Sequence, residues 1–220
     1  MDQAERRSPW VTTTYCDTAD WRIYRADEVG PAQHLRFREY HSSRADEAFA
    51  SPSMFLEVKD NSRGRRSKER LEITASILPA LLRREWKLPP TLNRREQVQF
   101  LLAAGARPVL VTQFHRVAYA APGDRIRITS DYNLTYQAIP WTTSEDDTIP
   151  HRIGPVVGRE TGVVIEMKWI DELPPWALSV FESLRDHSQE DRVSKFVVGM
   201  RYLLAHLTEP YAANGARPAH

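Results

Sequence analysis

Four short segments of this chain carry charged side chains two residues apart, the spacing that aims them to one side of a β-strand. They are Arg36 with Arg38, Glu57 with Lys59, Arg125 with Arg127, Thr129 and Asp131, and Glu166 with Lys168. The residues between them are largely apolar: Phe37, Val58, Ile126, Ile128 and Met167. Each segment reads as a strand with one face for packing and one charged face. Arg116 adds a cation to the preceding strand, and Lys68 with Arg70 adds a further pair. For any single pair the plain reading is a solvated sheet face. Repetition argues against that reading, because like charges on neighbouring strands repel. Cations crowd together where a polyanion sits among them, and guanidinium forks and ammonium groups match phosphate oxygens. If the sheet closes into a barrel, the charged face becomes a lumen of converging charge. Glu57 and Glu166 then read as ligands for Mg²⁺ or Mn²⁺, hard ions held by few carboxylates plus substrate phosphates.

Composition narrows the class. The chain has 30 basic and 29 acidic residues, a net charge of +1. A general nucleic-acid binder carries a clear basic excess, so no nucleic-acid partner is expected. Any anion site must come from arrangement, with acids such as Glu145, Asp146 and Asp147 kept elsewhere. Only five of the basic residues are lysine, and all but Lys87 fall in the charged segments: Lys59, Lys68, Lys168 and Lys195. A compact ammonium is a different tool from a flat guanidinium. The lone Cys16 allows no internal disulfide, which fits a reducing compartment. No leader-like segment opens the chain, and no run of about 18 apolar residues crosses a membrane, so a cytoplasmic location is expected.

The elements that must position these groups follow from periodicity. Strands are predicted at 11–15, 21–24, 33–40, 54–60, 71–74, 109–119, 125–136 and 162–169. Helices are predicted at 75–86, from a capping box at Asn93–Glu96 to Gly105, from Pro174-Pro175 to 186, and from Ser194 to 207. Pro122-Gly123-Asp124 marks a turn. One domain over 11–207 is expected, between an N-terminal tail (1–10) and a flexible C-terminal tail (208–220). The run Arg63–Arg70 resembles a nucleic-acid patch but reads better as a basic hairpin rim that steers anions. The histidines lack metal-ligand spacing, and Cys16 reads as a buried small residue.

Several segments, in order, resemble a known family. They are Tyr15-Cys16-Asp17-Thr18, Leu35–Tyr40, Phe55–Lys59, Arg116–Tyr119, Arg125–Asp131, Val164–Lys168 and Ser194-Lys195-Phe196. Together they resemble the VTC (vacuolar transporter chaperone) domain of the CYTH-like triphosphate tunnel metalloenzymes. The resemblance implies an α+β fold, an antiparallel β-barrel forming a tunnel with helices packed outside. Members usually open with a further strand and helix that carry a tunnel residue, and only ten residues precede Val11 here. The implied barrel therefore lacks that first strand and helix.

The implied activity is a polyphosphate polymerase that uses the γ-phosphate of ATP with Mn²⁺ or Mg²⁺. By resemblance, Arg36, Arg38, Lys59, Arg116 and Arg127 hold substrate phosphates and Glu166 ligates the metal. Arg192, Ser194 and Lys195 touch nucleotide or product phosphates near one mouth. Lys59, Arg116, Arg127 and Lys195 are assigned as catalytic, with Lys68, Arg70, Arg125 and Lys168 completing the phosphate-binding set and Glu57 the metal set. ATP and inorganic polyphosphate are the implied partners, with a membrane partner for a chain that has no membrane segment. A tunnel phosphohydrolase and a non-catalytic polyphosphate-binding module are the alternatives.

Overall fold

The computed structural model describes residues 5–7, 9–30, 32–46, 51, 53–60, 67–120, 125–139, 153–185 and 194–208. The basic run 63–66, the turn at 122–124, the acidic run 144–147, Arg192 and the tail from 209 lie outside them. An antiparallel sheet forms the body. Its strands are β1 (Glu5–Arg7), β2 (Trp10–Asp17), β3 (Gln33–His41), β4 (Ser53–Asp60), β5 (Ser67–Thr74), β6 (Arg107–Ala120), β7 (Ile126–Ala138), β8 (Val156–Arg159) and β9 (Val164–Trp169). Neighbours run β5-β4-β3-β2-β6-β7-β8, with β1 paired to β6 beyond the start of β2 and β9 paired to β7 beside β8.

Among the described residues no pairing joins β5 to β8 or β9. The antiparallel sheet with helices packed on it is as expected for an α+β fold, but the sheet stays open rather than closing into a barrel. The composition of β5 agrees with an edge: Lys68, Glu69, Arg70 and Glu72 lie in its eight residues. Such charge discourages further strand pairing.

Helix α1 (Arg22–Val29) occupies the place where a strand was expected at 21–24. The cause is Asp17. Its buried carboxylate accepts the backbone N–H groups of Thr18, Ile23 and Tyr24 at 2.7, 2.9 and 3.0 Å, satisfying donors that a helix start leaves open. The helix expected at 75–86 is a 3₁₀ turn (Ala75–Ile77) and a short α2 (Leu78–Leu82). The chain leaves it through Arg84 at φ 64°, ahead of Pro89. The capping box at Asn93 is also not formed. Glu69 of β5 reaches across instead, accepting the N–H groups of Asn93 and Arg94, each at 2.7 Å, before α3 (Arg95–Ala103). Helix α4 (Pro175–Arg185) and helix α5 (Lys195–Thr208) start as expected, and Val197 N–H donates to Ser194 Oγ at 3.4 Å. Strand β1, in the segment expected as a tail, and strand β8 have no counterpart in the sequence-based reading.

Alternation decides which side chains pack. Leu35 and Phe37 of β3, with Leu56 and Val58 opposite them on β4, are buried in one core cluster with Leu78, Leu81, Val98 and Leu101 of the helices. Helix α5 covers the other side of β2, β6 and β7. Phe196 stacks on Tyr15 at 5.2 Å between ring centroids, and Tyr202 lies 5.4 Å from Tyr136. Burying a side chain such as Phe196 stabilises by about 1.5–3 kcal/mol. The contact is close because residue 199 is glycine: a Cβ there would sit 2.5 Å from Leu110 Cδ2 and 2.6 Å from Tyr136 Cδ1. Leu110 and Tyr136 are themselves fully buried, so neither yields easily. Gly199→Ala is therefore expected to destabilise by about 1–3 kcal/mol despite alanine's better helix propensity, read as a lower unfolding midpoint in urea. An unchanged or raised midpoint would show that α5 is not seated this closely.

Candidate functional site

Glu57 stands in the middle of β4, opposite Arg36 on β3 and Arg70 on β5. It is 0% exposed, a position a lone carboxylate does not tolerate. Four cations surround it. Glu57 Oε2 accepts from Arg36 Nε at 2.9 Å and Nη2 at 2.8 Å, and Arg38 Nη1 lies 3.8 Å away. Its Oε1 accepts from Arg70 Nε at 3.0 Å and Nη2 at 2.8 Å, and Lys68 Nζ lies at 2.7 Å. Burial alone would push the Glu57 carboxyl up. Arg38, Arg36 and Lys68 outweigh it and hold the group well below the usual carboxylate range. The ammonium of Lys68 is pushed down to about 8, by burial first and then by Arg38 and Arg36, against the pull of Glu57. Arg38, itself buried, also donates to Thr13 Oγ1 at 3.3 Å. Aromatic rings back the guanidiniums: Arg70 lies 4.4 Å from the Phe55 centroid and Arg36 5.8 Å from that of Tyr15, within cation–π range.

A second cluster forms on Asp131 of β7. Arg116 of β6 grips it bidentately, Nε to Oδ1 at 2.6 Å and Nη2 to Oδ2 at 2.7 Å, the geometry a planar guanidinium favours. Lys195, the first residue of α5, places Nζ 2.9 Å from Oδ2. Both cations lie against the ring of Phe114, at 5.1 and 5.2 Å. Burial pushes the Asp131 carboxyl up, but Arg116 and Lys195 hold it below its ordinary value. Beside them Glu166 pairs with Lys168 at 3.2 Å, and its side chain remains 51% exposed. Its carboxyl is also held low, burial being overcome by Lys168, Arg116 and Lys195.

The ladder registers put both clusters on one side of the sheet. Glu57 opposes Arg36, Arg38 opposes Thr13, and Thr13 opposes Thr112. On β6, Phe114 and Arg116 follow Thr112 at alternate positions. Arg116 opposes Asp131, Thr129 opposes Glu166, and Arg127 opposes Lys168. Lys59 sits on β4 between His34 and Lys68, on the same side. The cations expected to converge thus share a face, but they gather around two separate acids on an open sheet rather than lining a closed lumen.

Two expected residues lie elsewhere. Arg125 precedes β7 and pairs with Asp171 at the surface. Ser194 donates to Asp27 Oδ2 at 2.8 Å, on the carboxylate that also meets His34 Nε2 at 3.2 Å. It fastens α5 to α1 rather than facing the cations. Arg192 is outside the described residues. Conversely, the sequence places Asp131 on the charged face of its strand without pointing to a role for it. Its alternation with Arg127 and Thr129 was the available signal, whereas its long-range partner Lys195 left none.

Among the described charged residues of this face, the donor set fits a hard metal ion at one place. Among the described residues, no group of three or more His, Cys, Asp or Glu is arranged around a metal position. Both oxygens of Glu57 are taken by cations, so the expected metal role does not fit it. The oxygens of Asp131 are likewise held by Arg116 and Lys195. Glu166, half-exposed and beside the Asp131 cluster, fits the sparse mode in which Mg²⁺ or Mn²⁺ takes one carboxylate plus phosphates and water.

Glu57→Gln tests whether this carboxylate holds the cations together. Removing the charge leaves Arg36, Arg38, Lys68 and Arg70 in mutual repulsion, and breaking such a buried cluster costs about 3–5 kcal/mol. A large fall in melting temperature at low salt is expected, partly reversed by millimolar tripolyphosphate, which returns the missing negative charge. A variant that melts like the parent would show that Glu57 is not the organiser.

Comparison with solved structures places this arrangement on a known fold. A provisionally named adenylate cyclase from Bacillus halodurans superposes with a TM-score of 0.50 at 10% identity, covering 86% of this chain and 82% of that one. The PH1819 protein from Pyrococcus horikoshii OT3 gives a TM-score of 0.41 at 12% identity, over 90% and 87%. No curated protein matches the chain. The family comparison is more specific: the VTC domain matches residues 1–204. The ordered Arg-x-Arg, Glu-x-Lys and Ser-Lys segments fall inside that span. This chain belongs to the VTC domain family.

Proposed function

We propose that this chain is a polyphosphate polymerase that transfers the γ-phosphate of ATP to the end of an inorganic polyphosphate chain. The carrying observation is the cationic face: four cations crowd the single buried carboxylate of Glu57. That excess is unfavourable until a polyanion neutralises it. Family membership supports a polyphosphate-related, phosphoryl-transferring role; among the described residues no helix is long and apolar enough to cross a membrane. A cytoplasmic setting, where ATP is available, belongs to the same proposal.

In this reading the Glu57 cluster, with Lys59, holds successive phosphates of the chain. Arg116, Lys195 and Arg127 hold the phosphates at which transfer occurs. Glu166 would hold Mn²⁺ or Mg²⁺, which when bound neutralises charge on the nucleotide phosphates. A terminal oxygen of the polyphosphate attacks the γ-phosphorus, a new P–O bond forms, the bond to the β-phosphate oxygen breaks, and ADP leaves with that oxygen. No protein nucleophile is required, because positioning and charge neutralisation carry phosphoryl transfer. The open sheet favours a second reading, a polyphosphate-binding module without turnover, since an unclosed face excludes water poorly.

Incubation with ATP and Mn²⁺, followed by gel separation, distinguishes the readings. Long polyphosphate is the expected product; free phosphate alone would indicate a hydrolase, and binding without turnover the module. Glu166→Ala should abolish synthesis while leaving the melting temperature within about 1 °C, since a half-exposed carboxylate contributes little to stability. Full activity at saturating metal would remove Glu166 from the mechanism.

A pH series tests the Glu57 cluster. Lys68 has a folded pKa below that of an ordinary lysine, so it loses its charge as pH rises through about 8. Tripolyphosphate affinity of the parent should fall relative to that of Lys68→Arg between pH 7 and 9, because arginine stays charged throughout. Parallel pH profiles would place Lys68 outside the binding face.

A further inference from the structure

Thr129 lies on β7 between Arg127 and Asp131, on the cationic face. Its neighbours across the ladder are Ala118 on β6 and Glu166 on β9. The residue is 4% exposed, and its hydroxyl finds no hydrogen-bond partner. Buried hydroxyls are ordinarily satisfied, and one that is not is a destabilising feature. Thr14 and Thr112 are orphaned as well, but their settings differ. Thr14 stands between Phe37 and Val111 on the packing side, and Thr112 between Thr13 and Tyr136 beneath α5. Neither has an ion pair on its own strand two residues away. Thr129 does: Asp131 is gripped by Arg116 and Lys195, while Arg127 and Glu166 flank it.

We propose that Thr129 is a phosphate-binding residue, its hydroxyl donating to a phosphoryl oxygen held among Arg116, Lys195 and Arg127. The chemistry suits the position. The cations supply charge but fix orientation loosely, whereas a hydroxyl on a strand flanked on both sides has few rotamers and aims one donor at one oxygen. Glu166, a carboxylate, accepts hydrogen bonds but cannot replace this donor for an anionic ligand. The assignment deepens the polyphosphate reading and rests on it.

The test is isothermal titration of the full chain with tripolyphosphate, without metal and again with Mn²⁺, for the parent, Thr129→Val, Thr129→Ser and Thr14→Val. Valine keeps the shape and removes the hydroxyl, so Thr129→Val should melt at or above the parent's temperature yet bind about 10- to 100-fold more weakly. Thr129→Ser should recover most of the affinity, and Thr14→Val should leave it unchanged. A purely structural threonine would shift melting and leave affinity alone. Equal affinity of Thr129→Val and the parent overturns the proposal, and so does a loss seen only with Mn²⁺, which would make the hydroxyl a metal ligand. If the parent itself fails to bind tripolyphosphate, the polyphosphate reading falls and Thr129 falls with it.

Discussion

Gathering like charges on one face of a sheet is the constraint to which the rest of this structure answers. Two unit charges at contact distance interact by about 4 kcal/mol in the effective dielectric near a protein surface, so several cations cannot share a small area without compensation. Glu57 supplies it from beneath, fully buried, with each oxygen shared among cations. One carboxylate organises the group but does not neutralise it. The remainder shows in the low pKa of Lys68, which burial and Arg38 together push down. In the proposed function, a site built this way is ordered before its ligand arrives and still favours an anion. That combination lowers the ordering cost of binding.

The second cluster solves the same problem by different means. Asp131 takes one cation from the sheet and one from a helix, and Lys195 reaches it because α5 lies directly on the strands. The seating of α5 depends on Phe196 against Tyr15, on Gly199 against Leu110 and Tyr136, and on Ser194 held by Asp27. A change anywhere along this helix is therefore also a change in where Lys195 stands. In the family resemblance Ser194 and Lys195 form one motif. The structure separates them: the lysine reaches Asp131 beside Arg116, and the serine ties the helix down.

Much of this was legible in two-residue periodicity. Arg36 with Arg38, Glu57 with Lys59 and Glu166 with Lys168 announced charged strand faces, and each lies on the strand it implied. What alternation cannot carry is how many partners a residue finds. Glu57 and Glu166 sit in the same Glu-x-Lys pattern, yet one is enclosed by four cations and the other half-exposed, because one strand lies between neighbours and the other ends the sheet. Helix α1 was obscured for a related reason: the aromatic residues at 21 and 24 resemble a strand, while the helix is set by hydrogen bonds to Asp17 from up to seven residues away. Closure of the barrel depends on β5 meeting β8 or β9, and no local pattern reports that distance. The charge on β5 suits an edge, a reading that the pair Lys68 and Arg70 does not by itself suggest.

The difference between the two acids bears on where chemistry can take place. A metal ion enters at an exposed carboxylate rather than at one enclosed by cations, and phosphoryl transfer needs room for two phosphates in line. The Glu57 cluster offers neither, since its oxygens are saturated and its carboxylate lies beneath the cations. Around Asp131 the cations are equally fixed, but Glu166, Lys168 and Arg127 are accessible beside them. Within the proposed activity, the first cluster thus grips the chain and the second hosts the transfer. A polymerase needs this division, because the growing polymer must stay bound while nucleotide enters and leaves. The open edge at β8 and β9 lies next to the transfer cluster, where a nucleotide can pass without displacing the polymer from Glu57's cations.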